Sequence, residues 1–170
     1  LNDQGEFGAA EKALPAADDL SAVALCILGK TLGGQKRYEE AEAAYKKAIS
    51  QMRRNGSPYS LLAGLLLAQG KTQGAIRASQ MAIERFPRNT SAHETLALAL
   101  LATEHPEDAL EATRVGIERV PDRPGLHVVR GKVLGSLGRP TEAVRSLCRA
   151  LELHPGDQDA QRTLKELIQD

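Results

Sequence analysis

The chain has 170 residues, with 22 Lys and Arg against 22 Asp and Glu, and its two charge signs are balanced along the whole length. That balance argues against a nucleic-acid surface or a basic membrane anchor. The longest apolar run, residues 61–68, falls well short of the ~20 residues that span a bilayer. Aromatic residues make up 3% of the chain and Trp is absent, so a core must be built from Leu, Ala and Gly.

Residues 1–14 read as the second helix of a unit whose first helix lies upstream, because Phe7, Ala10 and Leu14 match Tyr38, Ala41 and Tyr45. Asp18 and Asp19 are the expected N-cap and first-turn acids of the next helix. That helix carries Val23, Leu25, Ile27, Leu28 and Leu32 and stops at Gly33 and Gly34. Its partner covers residues 38–53. After the turn at Asn55 and Gly56, Ser57 is the expected N-cap and Pro58 the first helical residue. A further pair follows at residues 58–69 and 72–85, split by Gly70. Thr90 or Ser91 opens the next helix, and Pro106 opens its partner, which ends at Val120 and Pro121. The last pair lies within residues 124–153. In the tail, Ala160, Leu164, Leu167 and Ile168 share one helical face and Gln161, Lys165 and Glu166 the other, the pattern of a helix that caps an array.

These elements recur at a 34-residue step. Leu32, Leu66, Leu100 and Leu134 are equally spaced, as are Ala41, Ala75, Ala109 and Ala143, and Pro87, Pro121 and Pro155. A fixed period of this size marks a solenoid of stacked helical pairs. The expected units are residues 22–55, 56–89, 90–123 and 124–157, with a partial repeat at 1–17 and a capping helix at 158–170. Small residues at the Ala and Gly positions let paired helices approach to ~8–10 Å.

The pattern resembles the tetratricopeptide repeat, whose signature is W-x2-L-G-x2-Y followed by A-x3-F, Ala and Pro. The Trp-like position holds Leu25, Tyr59, His93 and His127, and the Leu position Leu28, Leu62, Leu96 and Arg130. The Gly position holds Gly29, Ala63, Ala97 and Gly131. The A-x3-F pair reads Ala41/Tyr45, Ala75/Ser79, Ala109/Thr113 and Ala143/Leu147. Arg130, the polar Ser79 and Thr113, and Arg53 in place of the terminal Pro depart from the pattern. Ser79 and Thr113 suggest that the middle units pack with smaller side chains.

The resemblance implies an all-α, right-handed solenoid of antiparallel helix pairs and a non-enzymatic protein–protein interaction scaffold. In such arrays the first helices line a concave groove. Carried over, the groove residues are Val23, Cys26 and Lys30; Ser60, Gly64 and Leu67; Glu94, Leu98 and Leu101; and Val128 and Lys132. This surface is small and apolar and lacks the Lys and Asn clamp of chaperone-binding members. The expected partner is therefore an apolar peptide or a partner helix. Two alternatives stand beside it. One is a homo-oligomer stacking through the array ends, and the other is a regulatory segment of a larger enzyme or secretion complex.

Other motifs carry less. Gly29-Lys30-Thr31 and Gly70-Lys71-Thr72 echo the end of a phosphate-binding loop, but the earlier Gly is replaced by Ala24 and Leu65. His93 and His127 have no further ligand at metal spacing and are expected as substitutes for Trp at a seam. Asp157 and Asp159 are expected as helix-start acids rather than a metal site. Asn89-Thr90-Ser91 fits a glycosylation acceptor. No nucleophilic triad or paired-carboxylate constellation stands out, and no catalytic residue, metal or cofactor is expected. Cys26 and Cys148 are too far apart for a bridge, which weakly favours a reducing, cytoplasmic setting.

Overall fold

A computed structural model describes residues 21–51 and 56–169 of the chain. Among them are nine helices and no strand: α1 (Ala22–Gly34), α2 (Tyr38–Gln51), α3 (Ser57–Ala68), α4 (Thr72–Arg85), α5 (Thr90–Ala102), α6 (Pro106–Arg119), α7 (Pro124–Ser136), α8 (Pro140–Leu153) and α9 (Gln158–Gln169). The expected half unit at residues 1–17 and the caps Asp18 and Asp19 lie outside the described residues. Consecutive helices pack as pairs and each pair packs on the next, which gives the expected all-α, right-handed solenoid.

The turn inside each pair repeats as faithfully as the helices. Lys36, Gly70, Glu104 and Gly138 all take positive φ, between 60° and 71°. Around each, the following amide closes the turn on the first helix, as in Arg37 N–H to the Leu32 carbonyl (2.9 Å) and Arg139 N–H to the Leu134 carbonyl (2.9 Å). This Schellman closure satisfies the last carbonyls of the first helix. Gly suits the left-handed residue, whereas Lys36 and Glu104 adopt it against the clash of their own Cβ.

Between pairs, proline does the turning. Phe86, Val120 and His154 each precede a Pro and leave the helical region, with φ from −137° to −146° and ψ from 75° to 88°. A residue before Pro is pushed out of the helical region, so the second helix must stop there. Capping departs from the expectations in two places, the first being α1, whose N-cap is Ser21 in place of the expected Asp18 or Asp19 and whose first turn holds no acid. Ser57 does not cap α3: Gly56 holds the cap, and Ser57 and Pro58 are already helical. Ser21 caps α1, accepting from the Ala24 amide at 3.3 Å. Asp157 performs as expected at α9, its Oδ1 accepting from the Asp159 and Ala160 amides at 3.0 and 2.9 Å.

The seam inside each pair is set by two positions that compensate. Gly29 faces Tyr45, and Gly131 faces Leu147. A Cβ on either glycine would stand 2.6 Å from Tyr45 Cε1 or 2.7 Å from Leu147 Cγ. In the middle units the same positions hold Ala63 with Ser79 and Ala97 with Thr113, all fully buried. A methyl group on one helix is balanced by a smaller side chain on the other, which keeps the seam close-packed. Ala41, Ala75, Ala109 and Ala143 have no exposed surface.

Candidate functional site

The face presented by the first helices is the candidate site. Ser60, Gly64 and Leu67 are spaced four and three residues apart on α3, as are Glu94, Leu98 and Leu101 on α5, so each trio shares one helical side. Leu67, Leu98 and Leu101 are half-buried: each packs against the core and leaves part of its surface in water. An added Cβ at Gly64 would meet nothing within 4 Å. On α1, Val23 and Lys30 are exposed and Cys26 is half-buried, with burial pushing its thiol up.

Three of the expected groove residues are engaged within the array. Ser60 is only 8% exposed, and Asn89, at the start of α5, hydrogen-bonds to it. Its hydroxyl accepts from Asn89 Nδ2 at 3.3 Å and donates to the Ser57 carbonyl. Val128 is 3% exposed and packs with Leu147, Ala150 and Ala160, under α9. Neither has surface to offer a partner. Lys132 is half-buried and its Nζ is held 2.5 Å from Asp159 Oδ2 on α9. These three belong to the seams between units.

Glu94 is the acidic member of this face. Burial pushes its carboxyl up, and Arg123, whose Nε lies 3.9 Å away, draws part of that shift back. The carboxylate rests so closely against Gly125 that a Cβ there would collide with Oε1. Asp159 shows the opposite balance: burial would raise its carboxyl, but hydrogen bonds from Lys132 and Arg162 hold it below the ordinary range.

The remaining motifs take structural places. His93 and His127 fill the Trp-like position, 2% and 8% exposed. Each Nε2 lies within bonding distance of a proline carbonyl, Pro87 at 3.0 Å and Pro121 at 2.7 Å. A carbonyl only accepts, so Nε2 carries the proton and donates, as an indole N–H does. Gly116 makes room for the His93 ring, since a Cβ there would stand 2.9 Å from His93 Cβ. Lys30 and Thr31 are inside α1, without the loop a phosphate needs. Asn89 caps α5 through Ala92 N–H and donates to the Gly56 carbonyl at 3.0 Å, so its amide is already committed to the fold. Among the described residues no group of His, Cys, Asp and Glu is arranged to hold a metal ion, and no helix is long and apolar enough to cross a membrane.

Asn89 and Asp159 are the structurally decisive polar residues that the repeat signature does not specify. Both sit at the start of a helix and reach back to an earlier one, Asn89 to Gly56 and Ser60 at the start of α3, Asp159 to Lys132 on α7.

Comparison with known proteins agrees with this architecture. Two family models, each described as tetratricopeptide repeat, match the chain, one over residues 66–132 and the other over 22–51 and 125–157. No curated protein matches. Among solved structures, a thermophilic tetratricopeptide protein of Thermus thermophilus is 24% identical, with TM-score 0.78 over 88% of this chain and 82% of that one. MamA is 26% identical, with TM-score 0.68 over 89% and 88%. YrrB, a tetratricopeptide protein described as having an unusual peptide-binding site, is 20% identical, with TM-score 0.66 over 95% and 83%. The 34-residue helical pairs, their repeated turns and these matches make the chain a member of the tetratricopeptide repeat family.

Proposed function

We propose that this chain is a non-enzymatic scaffold that holds an apolar extended segment or a partner helix on its first-helix face. The observation that supports this is the row of half-buried leucines, Leu67 on α3 and Leu98 and Leu101 on α5, beside the open surface at Gly64. Apolar area left in water beside a backbone that a partner can approach closely is what an apolar peptide needs. Val23, Cys26 and Lys30 extend the same face along α1. Glu94 gives it one acceptor for a partner's N–H group.

Gly64→Glu tests this reading without harming the fold. The site has room, and Glu is a better helix former than Gly by several tenths of a kcal/mol. Peptides selected against the chain from a random display library are expected to be rich in Leu, Ile, Val and Phe. Their affinity is expected to fall at least about tenfold in Gly64→Glu while the melting temperature holds or rises. Peptides that bind both forms equally would remove this face from consideration.

A second reading draws on Ile168, 70% exposed on α9 at the end of the described array. An apolar side chain there suits stacking between copies. Sedimentation equilibrium over a wide concentration range, with Ile168→Lys as the comparison, separates the two.

A further inference from the structure

The outer face carries a cleft that the repeat pattern does not account for. It lies between α2 and α4, the second helices of neighbouring pairs, and has a volume of about 630 Å³. That falls within the ~300–1,000 Å³ typical of ligand-binding clefts. Leu62, Leu66 and Ala78 form its floor, and Met81, 45% exposed, forms part of its wall.

The cleft coincides with a missing side chain. Gly74 occupies the place held by Glu40, Asp108 and Glu142 in the other units. At that place Glu40 pairs with Arg37, and Glu142 pairs with Arg139, each at 2.7 Å. At Gly74 no carboxylate covers the floor. A Cβ there would meet only the end of Leu66, at 3.3 Å.

The rim is basic and incompletely neutralised. Lys46 lies 2.8 Å from Glu42, and Lys71 shares the same carboxylate at 3.7 Å. Arg77 has no ion pair among the described residues. Among those residues, Lys46, Lys71 and Arg77 thus face the single acid Glu42 around the cleft. The other end of the outer face differs: Arg114 is held by Glu111 and Glu118, and Arg149 by Asp122 and Glu152.

We infer that this cleft is a second docking site, separate from the first-helix face, for an acidic segment of a partner protein that packs an apolar side chain against Met81, above the largely buried Leu62, Leu66 and Ala78. Met81, 45% exposed, supplies the apolar contact, and Lys71 and Arg77 supply charge complementarity, which steers the encounter and selects the partner.

The test uses two fluorescein-labelled peptides of alternating apolar and charged residues, each about three helical turns long, one built from Leu, Met, Asp and Glu, the other with Lys replacing every acid. Fluorescence anisotropy is read with the unaltered chain, Gly74→Glu, Arg77→Glu and Gly64→Glu. Gly74→Glu restores the residue type of the other units, so it is expected to fold, and a circular dichroism melt checks this. The acidic peptide is expected to bind and the basic one to bind at least about tenfold more weakly. Gly74→Glu and Arg77→Glu are each expected to weaken the acidic peptide at least about tenfold, and Gly64→Glu to leave it unchanged. Three results would each overturn the proposal: equal binding of both peptides, no binding of the acidic one, or binding indifferent to Gly74→Glu. Self-association of the chain that Gly74→Glu abolishes would assign the cleft to a second copy and overturn it as well.

Discussion

The outermost complete units and the two middle ones solve one packing problem in opposite ways. In the first and last, a glycine on the first helix admits a large side chain from the second, Gly29 under Tyr45 and Gly131 under Leu147. In the middle units alanine meets Ser79 or Thr113. Either division closes the seam: a bare backbone under a long side chain, or a methyl group beside a short one. The middle solution has a polar cost. Thr113 donates to the Leu110 carbonyl at 2.7 Å, but Ser79 Oγ is buried without a partner among the described residues.

Exchanging the two solutions is the strongest way to break this comparison. Leu147→Ala removes a fully buried side chain and is expected to cost about 2–5 kcal/mol. Gly131→Ala drives a methyl group into Leu147 and should cost about 1–3 kcal/mol. The double variant Gly131→Ala, Leu147→Thr copies the third unit, and it should recover part of the loss in a chemical denaturation cycle. Strict additivity of the two changes would show that the two seam positions do not compensate for one another.

Next in size is the tie between α3 and the start of α5. Asn89→Ala removes the α5 cap and both bonds to the start of α3, at Gly56 and Ser60. A loss of about 1–3 kcal/mol is expected. Hydrogen exchange should show it concentrated at the starts of α3 and α5. Asn89→Asp keeps the cap but not the donors, and should fall between.

The turn residues sharpen the comparison further. Glu104 holds a left-handed conformation that Gly138 holds freely one unit later. Glu104→Gly is expected to stabilise by about 0.5–1 kcal/mol, measured as a raised denaturation midpoint. Lys36→Gly, at the equivalent turn of the first unit, is the companion variant and should shift the midpoint in the same direction.

The smallest effect is a pH dependence at the last seam. Asp159 is held below its ordinary value of 3.8 in the folded chain, so its contribution is full above that value and is lost as the pH falls through the lowered one. Both partners keep solvent contact, which limits the pair to under about 1 kcal/mol. Lys132→Met should flatten the acid limb of the stability curve by that amount. Glu94 acts with the opposite sign. Its carboxyl is raised, so its contribution declines as the pH climbs above 4.5.

The 34-residue period made the helices legible because Ala, Leu and Pro recur at fixed places, and physics leaves little choice there: Ala41, Ala75, Ala109 and Ala143 are fully enclosed, and Pro ends a helix. The left-handed turn was half legible, in Gly70 and Gly138, and hidden at Lys36 and Glu104, whose side chains give no sign of it. Position alone placed Ser60, Val128 and Lys132 on a free face. The structure assigns them to Asn89, α9 and Asp159, contacts that depend on how one unit leans on the next. The α2–α4 cleft was legible only as an absence, Gly74 where the other units carry an acid.

The burial of Tyr45 has an optical consequence. All three tyrosines, Tyr38, Tyr45 and Tyr59, lie in the first two complete units, and there is no tryptophan. Intrinsic fluorescence therefore reports on that end of the array alone, while circular dichroism reports on every helix. Burial and the neighbouring Cys26 push the Tyr45 phenol up to about 12. The unfolded chain releases that proton first, near its ordinary value of 10.0, so alkali pulls on the first unit before the phenol ionises in place. Divergence of the two signals on titration or heating would show the array opening from one end, as a chain of nearest-neighbour units permits.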